Sequence, residues 1–336
     1  MKTKSDSNTP HISLGKRGDF NFVLLFALIA GAAILVLAIY GAVKFGTSNQ
    51  FQQSAELAKK IDILTDPLQA GFAATTTSTI TFPKDTKVSN ICSFDNDFGK
   101  NALAVQSRSS AGDPWLNDTI PVSIRNKYIF SEYEEGKKFY VMSKPFEFPF
   151  KIADLLFVTT KNYCLVNPPE DIAREMLSLN SANIGVLIEG NDTCSEDSVK
   201  VCFDYGLCDI YVVGECTGYG CKSDFDYGTV RKGNENLYYV GNLLYGAIFS
   251  NKETYDCNVN RLLFRLSNIA NIFSAKTELM NTRGCNTNMK PAMGMLAELA
   301  STTTSENIKD IYFSVESIKE LNDGSLSSYS SECALW

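Results

Sequence analysis

Histidine is nearly absent from this chain. Among its 336 residues there is one, His11, and the stretch from 44 to 336 has none. Histidine is the usual general base near neutral pH and the commonest zinc ligand. Its absence rules out Ser-His-Asp and Cys-His nucleophile systems in that stretch, and with them His-containing zinc hydrolase sites. Long basic runs are also missing, and the net charge is −7. Nucleic-acid binding needs clustered Lys and Arg, so nucleic acid is not an expected partner. No Cys-x-x-Cys occurs. Without histidine, a zinc site would need four cysteines at unsuitable spacing. The Gly-rich "GECTGYGCKSDFDYG" lacks phosphate-loop spacing, and no cofactor is expected. Carboxylate-pair chemistry stays open, since Asp and Glu total 38.

One long segment lacks charge altogether. From Phe20 to Val43 every residue is uncharged. As a helix this run spans about 36 Å, enough to cross a hydrocarbon core of about 30 Å. It is too long for a signal-peptide core, and Gly41-Ala42-Val43 is a poor cleavage site. Lys2, Lys4, Lys16 and Arg17 precede the run, whereas Lys44 alone follows closely. Basic residues favour the cytoplasmic side. The expected order is a cytoplasmic basic tail (1–19), a transmembrane helix (20–43) seated in the lipid bilayer, and an extracellular remainder.

Lys16-Arg17-Gly18-Asp19 directly before an apolar helix resembles the processing site of archaeal type IV pilins. That resemblance implies cleavage between Gly18 and Asp19 and self-association through the helix. The acidic residue that such pilins often carry five positions in is replaced by Val23. Residues 44–66 follow as a helical stalk, with Ser54, Leu57, Ile61 and Leu64 on one stripe and a stop before Asp66-Pro67.

The remainder, 78–336, reads as one α+β domain. Its first part (78–166) is β-rich, with strands expected at Thr79–Phe82, Ala102–Ser107, Ile120–Ile124, Lys127–Ser131, Lys138–Met142 and Leu155–Thr159. In the α/β part (167–336), "ADLLFVTT", the helix "NPPEDIAREMLSL" and "NIGVLIEG" form an expected βαβ unit. "SVKVCFDYG" and "CDIYVVGE" read as a possible hairpin. "NENLYYVGNLLYGAIFS" reads as a strand and a short helix. Three helices close the chain, packed on one side; the first carries Val259, Leu262, Leu263, Leu266, Ile269, Ile272 and Phe273 at helical spacing.

Ten cysteines, at 92, 164, 194, 202, 208, 216, 221, 257, 285 and 333, all follow the apolar run. An even number confined to the outer portion implies disulfides. A helix over 258–281 separates its ends by about 35 Å, so Cys257 and Cys285 should not pair. Cys257 is expected to reach the cysteine-rich strands, and Cys285 or Cys333 to tie the C-terminal tail. "NDT" at Asn117 and at Asn191 has the form of a glycosylation acceptor. Asp95 and Asp97, and Asp224 and Asp226, alternate before a Gly as in calcium loops. Neither completes an EF-hand, and ordinary turns account for both. The clusters "YIFSEY", "FEFPF" and "LYYVGNLLYGAIF" form either core or a binding face.

The stretches "NKYIFSE", "KPFEFPFKIADLLFVTTKNYCLVNPPEDI", "LYYVGNLLYGAIFS" and "YDCNVNRLLFRL" resemble a family of uncharacterised archaeal single-pass membrane proteins. The resemblance implies an archaeal cell envelope and one N-terminal span, and it brings no activity. The expected function is a non-catalytic, anchored envelope protein that is structural, adhesive or binds a partner protein or glycan. The alternatives are a pilin-like subunit and an extracellular enzyme working through carboxylates.

Overall fold

The computed structural model describes residues 25–41 and 75–336, except 109–111, 113, 116–118, 120, 132, 189–193, 286 and 329–334. The chain divides into two units, Met1–Gln50 and Phe51–Trp336. In the first, residues 25–41 form helix α1, whose large apolar side chains, such as Phe26, Ile34 and Leu37, are exposed. No helix among the described residues is long and apolar enough to cross a membrane. Residues 20–24 and 42–43 of the expected span lie outside the described residues, as does the expected stalk.

The second unit is α+β, with two six-stranded sheets. The first sheet has the order β3-β2-β1-β5-β6-β4. Its strands are β1 (Thr76–Ser93), β2 (Lys100–Arg108), β3 (Val122–Ile124), β4 (Tyr128–Phe130), β5 (Tyr133–Glu147) and β6 (Lys151–Thr159). Strand β1 is far longer than the Thr79–Phe82 predicted. Pro83 has no N–H to give a ladder, so it hid the continuation; the sheet absorbs it in an irregularity between Thr81 and Thr86, after which pairing with β5 resumes. Strand β6 is buried almost without alternation. Leu155 and Phe157 enter the main core, whereas Leu156 and Val158 join Phe82, Val88, Leu103 and Phe139 in a second cluster. Both faces of β6 are covered, which is why it reads as a continuous apolar run.

The second sheet has the order β12-β11-β10-β9-β7-β8. Its strands are β7 (Tyr163–Val166), β8 (Ile184–Leu187), β9 (Val199–Phe203), β10 (Ile210–Gly214), β11 (Tyr227–Lys232) and β12 (Glu235–Val240). A βαβ unit is present, but its first strand is β7 and not "ADLLFVTT", which is β6 of the other sheet. Helix α2 (Glu170–Ser178) makes the crossover; Pro169 precedes it, and Glu170 and Asp171 complement its dipole. Strands β9 and β10 are parallel, so the expected hairpin does not form. The six connecting residues double back along β9, from Asp204 N–H on Val212 C=O to Asp209 N–H on Lys200 C=O. Asp204 and Gly206 take positive φ there, and a Cβ on Gly206 would lie 2.2 Å from Cys202 Sγ.

Four helices complete the domain: α3 (Leu243–Phe249), α4 (Lys252–Thr282), α5 (Met289–Thr302) and α6 (Tyr312–Ser328). Asn251 caps α4 by accepting the Thr254 N–H. Tyr255, Val259, Leu262, Leu266 and Ala270 form its buried stripe. Both α3 and α4 touch strands of the two sheets, so they tie the sheets into one core. At the C-terminus, Trp336 packs against Phe150 and Phe273.

Candidate functional site

Four disulfides are formed: Cys92–Cys257, Cys164–Cys194, Cys202–Cys208 and Cys216–Cys221. Cys285 is also disulfide-bonded, and Cys333 lies outside the described residues. Cys257 therefore does not reach the cysteine-rich strands. It bonds Cys92, at the end of β1, because α4 crosses the first sheet there. A bridge spanning 165 residues restricts the unfolded chain strongly. The chain-entropy model gives it about 5 kcal/mol.

This bridge stands beside the turn between β1 and β2. Residues Ser93 and Lys100 close the hairpin, and Phe94–Gly99 form its loop. Loop and neighbours enclose a cleft of about 380 Å³ lined by Phe94, Asp95, Asp97, Phe98, Lys100 and Arg125, among others. Two carboxylates, two cations and two aromatic rings thus face one small space. Asp97 Oδ1 accepts the Gly99 N–H at 2.7 Å, an Asx-type turn that fixes the loop from within. Gly99 has φ +58°, and a Cβ there would lie 2.3 Å from Ser93 O and 2.8 Å from Arg261 Cδ. Only glycine fits.

Helix α4 holds the loop from below. The Phe94 and Phe98 rings meet Phe264 edge to face, at 6.3 and 5.2 Å. Arg261 is fully buried. Its Nε donates to Phe98 O at 3.0 Å, and Nη1 donates to Asn101 Oδ1 at 2.6 Å and Asn258 Oδ1 at 2.9 Å. The guanidinium stacks over Tyr128, 4.7 Å from the ring centre. Burial lowers the Arg261 pKa from its ordinary value and raises that of Tyr128. Asn90, Asn101 and Asn258 extend the network to the backbone of β4. Nothing in the sequence marks this cluster, because its members sit on β1, β2 and α4.

The other expected sites fare differently. Asp226 Oδ2 accepts the N–H groups of Lys222 and Ser223 and the Tyr312 hydroxyl, so this carboxylate organises a turn. Asp224 offers its backbone carbonyl to the Cys216 N–H. Among the described residues, no group of three or more His, Cys, Asp or Glu could hold a metal ion. Asn117, Asn191, Gly18 and Asp19 lie outside the described residues. The three aromatic clusters are mostly core: Tyr128, Phe130, Phe146, Phe148, Phe150, Tyr239 and Tyr245 are all buried. The two most exposed large apolar side chains sit instead on the small disulfide loops, Leu207 at 94% and Tyr219 at 90%.

A second buried cation went unmarked in the sequence. Lys144 of β5 pairs with Glu175 of α2 and lies 4.3 Å from the Tyr245 ring centre. Glu175 also accepts the Tyr245 hydroxyl at 3.0 Å and the Thr75 hydroxyl at 2.5 Å. Burial lowers the Lys144 pKa, against the pull of Glu175. For Glu175, burial pushes upward, but Lys144, Thr75 and Tyr245 outweigh it and leave the carboxyl below its ordinary value. This cluster lines none of the described clefts and reads as a joint between the sheets. No protein-family model, curated protein or solved structure matches the chain.

Proposed function

We propose that this chain is an envelope protein, anchored by its N-terminal apolar run, whose disulfide-braced outer domain binds a glycan in the cleft at the β1–β2 turn. The cleft is the observation that carries the reading. Carboxylates and a guanidinium pair well with vicinal hydroxyls, and an aromatic ring offers an apolar wall to the face of a sugar. Asp95, Asp97, Arg125 and the half-exposed Phe98 supply these groups on a loop fixed by a disulfide, a buried arginine and a ring contact. A preorganised loop loses little entropy on binding. The disulfides and the uncharged run support the outer location.

The test is retention of cell-envelope polysaccharide by the immobilised full-length protein. Asp95→Asn with Arg125→Gln should weaken retention at least tenfold while leaving the unfolding midpoint nearly unchanged, since both side chains line the cleft and are exposed. Equal retention by wild type and variant would overturn the reading. Protease added to intact cells should release the outer domain, and the membrane-borne chain should keep His11. A chain beginning at Asp19 would favour the filament reading. A second reading, carboxylate-dependent cleavage of the same glycan, is favoured by Asp95 and Asp97 lining one cleft. Shortened polysaccharide after incubation would distinguish it.

A further inference from the structure

Lys100 opens β2, and its neighbour Asn101 pairs with Ile124 at the end of β3. One step further along the same antiparallel register sets Lys100 directly opposite Arg125. Like charges that face each other across neighbouring strands destabilise a sheet. Both side chains are exposed and both line the cleft at the β1–β2 turn. Among the described residues neither makes an ion pair, although Asp95 and Asp97 line the same cleft. Asp97 is engaged in the loop itself, where it accepts the Gly99 N–H. A third cation lies beneath. Arg261 donates to Phe98 O, and its buried Nη2 has no hydrogen-bond partner. Cleft and floor together set three cations against two carboxylates, in a chain whose net charge is −7.

We infer that the cleft takes an acidic glycan, one whose sugars carry carboxylate or sulfate groups, and that Lys100 and Arg125 hold the anionic group. This inference rests on the glycan reading of the cleft and narrows it to one substrate class. An anion lying between the two side chains removes their mutual repulsion, which a neutral sugar would leave in place. The guanidinium offers parallel N–H donors to a planar carboxylate or to two sulfate oxygens. The lysine adds a point charge that adjusts to either. Asp95, which has no partner among the described residues, is free to accept from sugar hydroxyls. The half-exposed Phe98 ring backs the apolar face of the sugar. These two groups extend recognition beyond the anion to the sugar that bears it.

The test uses the immobilised full-length protein in detergent and two matched pairs of polymers. One pair is polygalacturonate and its methyl ester, and the other is dextran sulfate and dextran. In at least one pair the charged polymer should be retained at least tenfold better than its neutral counterpart, and the pair that shows this tells carboxylate from sulfate. Half-molar salt should release it. Lys100→Gln with Arg125→Gln should bring its retention down to the neutral level. The same variant should unfold at the wild-type midpoint or slightly above it, because it also removes the cross-strand repulsion. Retention of envelope polysaccharide with no preference for charge in either pair would overturn the inference and leave the glycan reading standing. Retention of neither the envelope polysaccharide nor any of the four polymers would overturn both. A charged polymer held equally well by the variant would place its contact elsewhere on the protein and overturn the inference too.

Discussion

Two buried cations brace the larger unit, by opposite means. Lys144 has a carboxylate partner, Glu175, supported by two hydroxyls. Arg261 is surrounded by neutral acceptors, Phe98 O and the side-chain oxygens of Asn101 and Asn258, with the Tyr128 ring against its face. The first arrangement is an ion pair whose strength depends on the carboxylate keeping its charge. The second is a hydrogen-bond hub whose acceptors do not titrate. Guanidinium suits that role because its planar fork serves several acceptors at once and is weakly hydrated. Lysine, a compact point charge, needs the counter-ion. The position of each matches its chemistry. Arg261 sits under the cleft loop and fixes its shape, whereas Lys144 joins β5 to α2 and hence one sheet to the other.

The largest expected effect is at the hub. Arg261→Met keeps most of the volume but strips the donor from three acceptors around it. Leaving buried acceptors unmade costs about 1–3 kcal/mol each before relaxation, so a net loss of about 4 kcal/mol is expected. Denaturant unfolding of the oxidised protein measures it. Because none of the partners titrates in acid, the loss should be the same at pH 7 and pH 4.

Glu175→Gln should cost somewhat less, about 3 kcal/mol at pH 7, mainly by leaving Lys144 buried beside a neutral amide. Here pH separates the two clusters. The Glu175 carboxyl is held below its ordinary value. Its contribution is therefore complete above the unfolded-state pKa, about 4.3, and is lost as pH falls through the lower folded value. Wild type and Glu175→Gln should converge as the acid limb is reached, whereas wild type and Arg261→Met should stay apart. Parallel acid curves for both variants would erase the distinction.

What the sequence makes legible follows from locality. The strands of the first sheet announce themselves by alternation, and α4 by the spacing of Val259, Leu262, Leu263 and Leu266. Pro83 conceals half of β1 because a proline inside a strand ordinarily argues against one. The four residues of β7 are too few to register beside the stronger β6, so the βαβ unit is found but given the wrong first strand. The β9–β10 connection is short enough for a hairpin, and only the Cys202–Cys208 loop reveals that it doubles back. Non-local partners leave no trace at all. Cys92 and Cys257 are 165 residues apart, and Arg261 reaches Asn101 across 160. Asp95 and Asp97 stand out by their pattern, but the cleft around them needs α4 in place.

The smallest effect sharpens the comparison most. Asp97 is a carboxylate whose charge acts on Arg261, and it is exposed. If the hub were a disguised ion pair, removing that charge would hurt it as Glu175→Gln hurts Lys144. Asp97→Asn separates charge from geometry, since the amide oxygen can still accept the Gly99 N–H and keep the turn. An attraction reaching across solvent is screened, so the substitution should cost less than about 0.5 kcal/mol, and half-molar salt should not change the wild-type stability further. A cost near 2 kcal/mol that shrinks in salt would mean that Arg261 relies on Asp97 after all. The loop would then be locked by charge, and the cleft would soften with pH and ionic strength as the Lys144 joint does.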